Sequence, residues 1–131
     1  MQKVVVGLFI NTKTAQVLIA KRHSFSPLAG LWEFPGGMLE PGESPQACLE
    51  RQIFQLFNAN CQALNEFCSY ELEYQGAPMQ FTALLAQLDE DADLQAQLHE
   101  ELKWVEIDRL LDYTFVPAQL EIAEKLVSLV K

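Results

Sequence analysis

Positive charge is what this chain has least of. Nine Lys and Arg stand against eighteen Asp and Glu in 131 residues, a net charge of −9. The nine (Lys3, Lys13, Lys21, Arg22, Arg51, Lys103, Arg109, Lys125, Lys131) are scattered rather than clustered. A nucleic-acid polymer is held through grouped cations that displace its counterions, so no such partner is expected. A small polyphosphate escorted by divalent metal ions remains compatible with an acidic chain. Long apolar runs are also missing. The longest near the start, Val4 to Ile10, is too short for a bilayer and lacks a small-residue cleavage site. It reads as a strand rather than a signal peptide, and no membrane partner is expected. Cysteine is sparse: Cys48, Cys61 and Cys68 are odd in number and lack metal-site spacing. That pattern suits a reduced cytoplasm, with each thiol a small hydrophobe. There is no G-x-S-x-G and no Cys/His nucleophile arrangement. His23 and His99 have no partner pattern of their own and read as surface or loop residues.

What is present is half hydrophobic, 50% of residues, without low-complexity tracts or linkers. This predicts one folded domain over residues 1–131. Lys3 to Ile10 and Gln16 to Arg22 flank the polar Asn11-Thr12-Lys13-Thr14 and read as a β-hairpin. After a loop with Pro27 and Gly30 comes Trp32-Glu33-Phe34-Pro35-Gly36-Gly37, and Pro41-Gly42 turns again. Ser44 as N-cap and Pro45 at the first helical position start a helix that runs to Phe57, where Asn58 supplies a left-handed cap. Extended segments follow at Gln62 to Tyr74 and Met79 to Leu88, then an acidic loop from Asp89 to Asp93. Lys103 to Ile107 reads as a short strand. Pro117 opens a final amphipathic helix carrying Leu120, Ala123, Leu126, Val127 and Val130 on one face. The class is α+β.

Gly37, Glu43 and Arg51 stand at G-x5-E-x7-R, continued by Gln52-Ile53-Phe54-Gln55-Leu56-Phe57-Asn58-Ala59. Positions 52, 55 and 56 are related by i+3 and i+4 and project from one helix face. This frame resembles the signature of the Nudix hydrolases. The lead-in Trp32 to Gly37 looks like the W-E-F-P-G-G of the MutT-like branch, and His99, Glu101 and Trp104-Val105 look like its E-H-x-E-x-[KR]-W-V segment. Pro117-Ala118-Gln119 resembles the start of its last helix. The resemblance implies an α/β/α sandwich around a mixed β-sheet. It also implies attack of water on a nucleoside triphosphate such as 8-oxo-dGTP, releasing the monophosphate and pyrophosphate. Mg2+ or Mn2+ would be the cofactor, held by helix glutamates and by the carbonyl of Gly36.

The chain departs from that pattern where the metal would sit. Hard divalent cations want anionic oxygens, and three glutamates on this face would form an anionic cup. Here the positions read Gln52, Gln55 and Leu56. The family's fourth carboxylate corresponds to Leu98, although a one-residue slip would bring Glu100 or Glu101 close instead. Glu43 and Arg51 match the family and are expected to orient the loop on the helix as an ion pair, a structural role. Glu33, Glu40 and Glu50 are candidates for a relocated site, but Glu50 points away from the 52/56 face. A positioned base contributes about 10^2 to 10^4 in rate and metal polarisation several kcal/mol more, so losing both removes about four orders of magnitude or more.

Nucleotide binding survives such changes better than catalysis does. By the family's pattern the base lies between sheet and final helix, near Arg22, against the apolar wall of Phe34, read by Gln119. One amide can both donate and accept, as a purine edge requires. The bland alternatives are that Gln119 is an exposed first-turn residue and Phe34 plain core. The leading expectation is a nucleotide-binding or catalytically impaired Nudix protein. An active hydrolase with relocated ligands and a protein-interaction module remain beside it, with the oligomeric state open. The damage-sensing domain of adenine-DNA glycosylases is a poor fit, since neither the glycosylase body nor a basic face is present.

Overall fold

The structure, a computed structural model, describes residues 1–130. Strands β1 (Gln2–Asn11) and β2 (Gln16–Arg22) meet through a turn in which Ala15 takes a φ of 55°. The expected hairpin is brief, because only Ile10↔Val17 and Asn11↔Gln16 pair. β2 then leaves β1 for β3 (Trp32–Glu33) and for β7 (His99–Glu106), both antiparallel. β1 pairs antiparallel with β4 (Gly36–Met38) and parallel with β6 (Ala77–Leu88), and β6 pairs antiparallel with β5 (Cys61–Tyr74). The result is a mixed sheet of seven strands. β7 is longer than the short strand expected at Lys103, because β2 pairs with it from His99 to Glu106.

Two helices cover the two faces. Helix α1 (Pro45–Phe57) starts where Ser44 Oγ accepts from the Ala47 N–H at 3.1 Å, and ends on Asn58 at φ 53°. It buries Cys48, Leu49, Ile53 and Phe57 against Val5, Phe9, Leu18 and Leu84. Helix α2 (Leu120–Val130) buries Ile122, Ala123, Leu126 and Val127 against Val6, Leu8, Val17, Ile19 and Ala83 on the other face. Each of the larger buried side chains contributes roughly 1.5–3 kcal/mol of gross stabilisation. Because the middle of β1 is covered on both sides, its run from Val4 to Ile10 is apolar instead of alternating. The last helix does not open at Pro117 as expected. Pro117–Gln119 is a 3-10 turn, and the α-helix follows it.

Among the described residues no helix is long and apolar enough to cross a membrane. The three cysteines are free. Burial pushes the Cys48 thiol up to about 11, with the Glu43 carboxylate adding to the effect. Burial likewise pushes Cys61 up to about 12, so both stay protonated at neutral pH.

Candidate functional site

The loop before α1 is held against β1 by two glycines. A Cβ on Gly36 would stand 2.0 Å from the Val5 carbonyl oxygen, and one on Gly37 would stand 2.3 Å from the Gln52 side-chain amide carbon. Glycine is therefore required at 36, where the neighbour is backbone, while at 37 it makes room for the movable end of Gln52. Arg51 fastens the other end of this loop. Its Nε and Nη2 donate to Glu43 Oε2 and Oε1 at 2.8 and 2.9 Å, a bidentate pair. Nη2 also donates to the Met38 carbonyl at 3.3 Å and Nη1 to Gln55 Oε1 at 3.2 Å. The Arg51 guanidinium, with the Glu40 N–H, holds the Glu43 carboxyl down at about 2. Glu50 lies elsewhere, its Oε2 accepting from the Ala63 N–H at 3.0 Å at the edge of β5.

A cavity of about 240 Å³ opens between the sheet and the 3-10 turn before α2. Arg22, Phe34, Gly36 and Gln119 line it, together with Val4, Val6, Met79, Phe81 and the phenol of Tyr74, which the sequence did not single out. Gln119 is not an exposed first-turn residue. It is 7% exposed, and its Oε1 accepts from the Phe34 N–H at 2.7 Å. What carries it inward is the segment before it: the Trp32 N–H donates to the Thr114 carbonyl, and the Val116 N–H to the Trp32 carbonyl, both at 2.9 Å. Phe34 is at once core, 1% exposed, and cavity wall.

Beside this cavity Glu33 joins two partners. Arg22 Nη1 donates to its Oε1 and His99 Nε2 to its Oε2, each at 2.8 Å. Burial pushes the Glu33 carboxyl up, but the His99 and Arg22 hydrogen bonds outweigh it and leave the carboxyl below its ordinary value. His99 corrects an expectation: it is neither surface nor loop but a buried residue of β7, packed on the Phe57 ring. The cause is a register irregularity. Lys21 pairs with Glu101, yet Arg22 pairs with His99, so Glu100 is skipped and His99 turns to the α1 side. Its Nδ1 is buried without a hydrogen-bond partner among the described residues. No regular alternation forecasts such a bulge; the family-like E-H-x-E spacing was the only available signal.

A second cavity, of about 190 Å³, is lined by Arg22, His23, Ser26, Glu33, Gly36, Leu56, Leu98 and His99. Leu56 and Leu98 therefore face one space. Leu56 is half-buried and packs on the α1 core, while Leu98 is 64% exposed. These residues do not fit a hard divalent cation, which needs several oxygen ligands. Leu56 and Leu98 carry no donor, the Gln55 Oε1 is taken by Arg51, and the Glu43 oxygens are taken by the same guanidinium. Among the described residues no three of His, Cys, Asp and Glu gather where they could share a metal.

The profile of the NUDIX domain matches residues 1–126. A CTP pyrophosphohydrolase of Escherichia coli (strain K12) is 30% identical over 129 residues, 98% of this chain and 95% of that protein. The solution structure of the E. coli ORF135 protein superposes with a TM-score of 0.84 at 28% identity, covering 98% of this chain and 90% of that one. The crystal structure of a MutT protein from Methanosarcina mazei Go1 gives 0.79 at 22% identity, over 98% and 94% of the two chains, a likeness of fold. With the sandwich and the G-x5-E-x7-R frame in place, the chain belongs to the Nudix family.

Proposed function

We propose that this chain, as one domain over residues 1–131, binds a nucleotide in the cavity beside Gln119 and is impaired in the family's metal-dependent hydrolysis. The observation that carries the reading is that Leu56 and Leu98 line one cavity. Both stand where the family's pattern has metal-binding glutamates, and neither can ligate Mg2+ or Mn2+. Gln52 and Gln55 keep polarity at the other two positions without charge. Glu43 and Arg51 act as the clamp that shapes the loop, and the Gly36 carbonyl alone cannot hold a cation. Arg22, Phe34 and Gln119 surround the base. A nucleotide ligand is supported by the relative named CTP pyrophosphohydrolase, and by the MutT-like branch, whose resemblance points to 8-oxo-dGTP. The free cysteines support a cytoplasmic setting.

A second reading, hydrolysis through displaced ligands, is favoured by the full-length likeness to a pyrophosphohydrolase. Glu33, Glu40 and Glu100 would be the ligands to examine. The test is pyrophosphate release from 8-oxo-dGTP and a nucleotide panel, with magnesium and then manganese. The natural chain is compared with the Gln52→Glu, Gln55→Glu, Leu56→Glu triple variant. Leu56→Glu is tolerated in folding because the position is only half-buried. The proposal expects turnover in the triple variant alone. Turnover in the natural chain would establish the second reading. Silence in both, with no nucleotide bound, would turn attention to a protein partner.

A further inference from the structure

We infer that the free edge of β7 is a self-association surface, where a second copy of this chain adds its own β7 antiparallel, about a two-fold axis at Leu102. The other sheet edges are short, covered or broken. β3 has two residues, and the Trp32 N–H and carbonyl are bonded to the Thr114 carbonyl and the Val116 N–H. β4 has three residues. β5 is long, but its register shifts between Ala63 and Glu66 and again between Glu66 and Cys68, and Glu66, Glu71 and Glu73 stand exposed along it. Bulges and exposed charges of that kind keep an edge from recruiting a partner. Among the described residues β7 pairs with β2 alone, and from Glu101 to Glu106 that ladder is regular.

The ladder decides which groups of β7 face outward. The Ile107 N–H donates to the Ala15 carbonyl at 2.9 Å, one step beyond the Gln16↔Glu106 pair. Antiparallel strands alternate, so Glu101, Lys103 and Val105 turn their backbone groups to β2. Leu102, Trp104 and Glu106 turn theirs outward, with no backbone partner among the described residues. A second β7 can bond only where outward groups meet outward groups, which leaves few registers. Centring on Glu101 or on Lys103 sets like charges face to face, and centring on Trp104 sets Lys103 against Val105. Centring on Leu102 sets Glu101 against Lys103 of the second copy twice, at the non-hydrogen-bonded positions where side chains approach closest. On the opposite face Leu102 meets its own counterpart beside Trp104, which is 39% exposed.

Sedimentation equilibrium of the natural chain tests the inference, at about 150 mM salt, where repulsion between chains of net charge −9 is screened beyond about 8 Å. One added strand is a small interface, so the mass is expected to rise from that of one chain towards that of two at about 0.1 to 1 mM. Glu101→Lys and Lys103→Glu are each expected to weaken the dimer about tenfold or more, since two attractions become two repulsions. Mixing the two variants, or combining both reversals in one chain, restores opposite charges at both positions, and association is expected to return to within about threefold of the natural chain. Glu101→Lys also lowers the net negative charge, so tighter association in that variant would mean general repulsion and overturn the inference. A natural chain that stays monomeric overturns it, as does a dimer indifferent to both reversals or one that combining them does not restore. Folding of each variant is checked by thermal melting. Lys103 also lies over the Tyr113 ring at 5.2 Å, and should Lys103→Glu not fold, Glu101→Lys against the natural chain decides.

Discussion

Replacing Glu33 by leucine asks what the Arg22–Glu33–His99 arrangement contributes. The variant keeps the approximate volume but leaves both donors. Arg22 keeps the Pro27 carbonyl through Nε at 2.7 Å, and its side chain is 27% exposed, so water can take over from Glu33. Its share is that of an exposed pair, about 1 kcal/mol or less. The His99 side chain is only 7% exposed, and its Nδ1 is already unpaired. Removing the carboxylate leaves Nε2 unpaired too, at about 1–3 kcal/mol. The leucine regains part of this by avoiding the burial of a carboxylate, so the net cost is about 2 kcal/mol. For 131 residues that corresponds to a Tm about 7 °C lower. The assay is a double-mutant cycle by thermal and urea unfolding at pH 7, with Glu33→Leu, His99→Leu and the pair. Because the main cost is a stranded histidine, the double variant is expected to be more stable than the sum of the singles by about 1–2 kcal/mol. Additive effects would refute the reasoning, since they would mean that His99 and Glu33 do not depend on one another.

Gly36→Ala is expected to abolish folding or cost more than about 4 kcal/mol, because the clash is with the Val5 backbone, whereas Gly37→Ala meets only the movable end of Gln52 and is rescued by Gln52→Ala in urea melts. For Glu43, whose folded carboxyl titrates at about 2, the sign is that of a depressed acid: the contribution is complete above the ordinary value of 4.5 and is lost as pH falls towards about 2. Unfolding midpoints from pH 7 to 2.5 are therefore expected to drop on the acid side in the natural chain, and less steeply in Glu43→Gln. Chelation by EDTA is expected to leave the Tm of the natural chain unchanged but to lower that of the Gln52→Glu, Gln55→Glu, Leu56→Glu variant, with magnesium restoring it.

Local chemistry made part of this molecule legible. Ser44, Pro45 and Asn58 announce both ends of α1 because capping acts within a few residues. Glu43 and Arg51 were readable as a pair because a loop closing onto its own helix keeps them near in sequence and in space. The departure of β2 from β1 was not legible, since two adjacent apolar segments look like a full hairpin whether or not a third strand competes for one of them. His99 was misplaced because its inward turn depends on a skipped residue opposite Lys21 and Arg22, a matter of long-range register. Gln119 had two readings, and only the pairing of residues 114–116 alongside Trp32 sends it into the interior.

The two cavities share Arg22, Glu33 and Gly36, so they are neighbouring parts of one cleft with different chemistry. On the proposed reading the residues at 52, 55, 56 and 98, of which Leu56 and Leu98 line the second cavity, are mutually consistent. Carboxylates at 52, 55 and 56 would crowd like charges beside Glu33, Glu40 and Glu43, a repulsion that a bound cation relieves and an unliganded chain must bear. Amides at 52 and 55 remove that repulsion while keeping contact with Gly37 and Arg51. Leucines at 56 and 98 go further, because they place apolar surface on the wall of the cavity that Glu33 and His99 also line. The polar centre that remains is aimed at the base cavity through Arg22 and Glu33. On that reading the cleft holds a nucleotide without spending carboxylates on a metal, which is why nucleotide binding and metal independence of stability should appear together in the same chain.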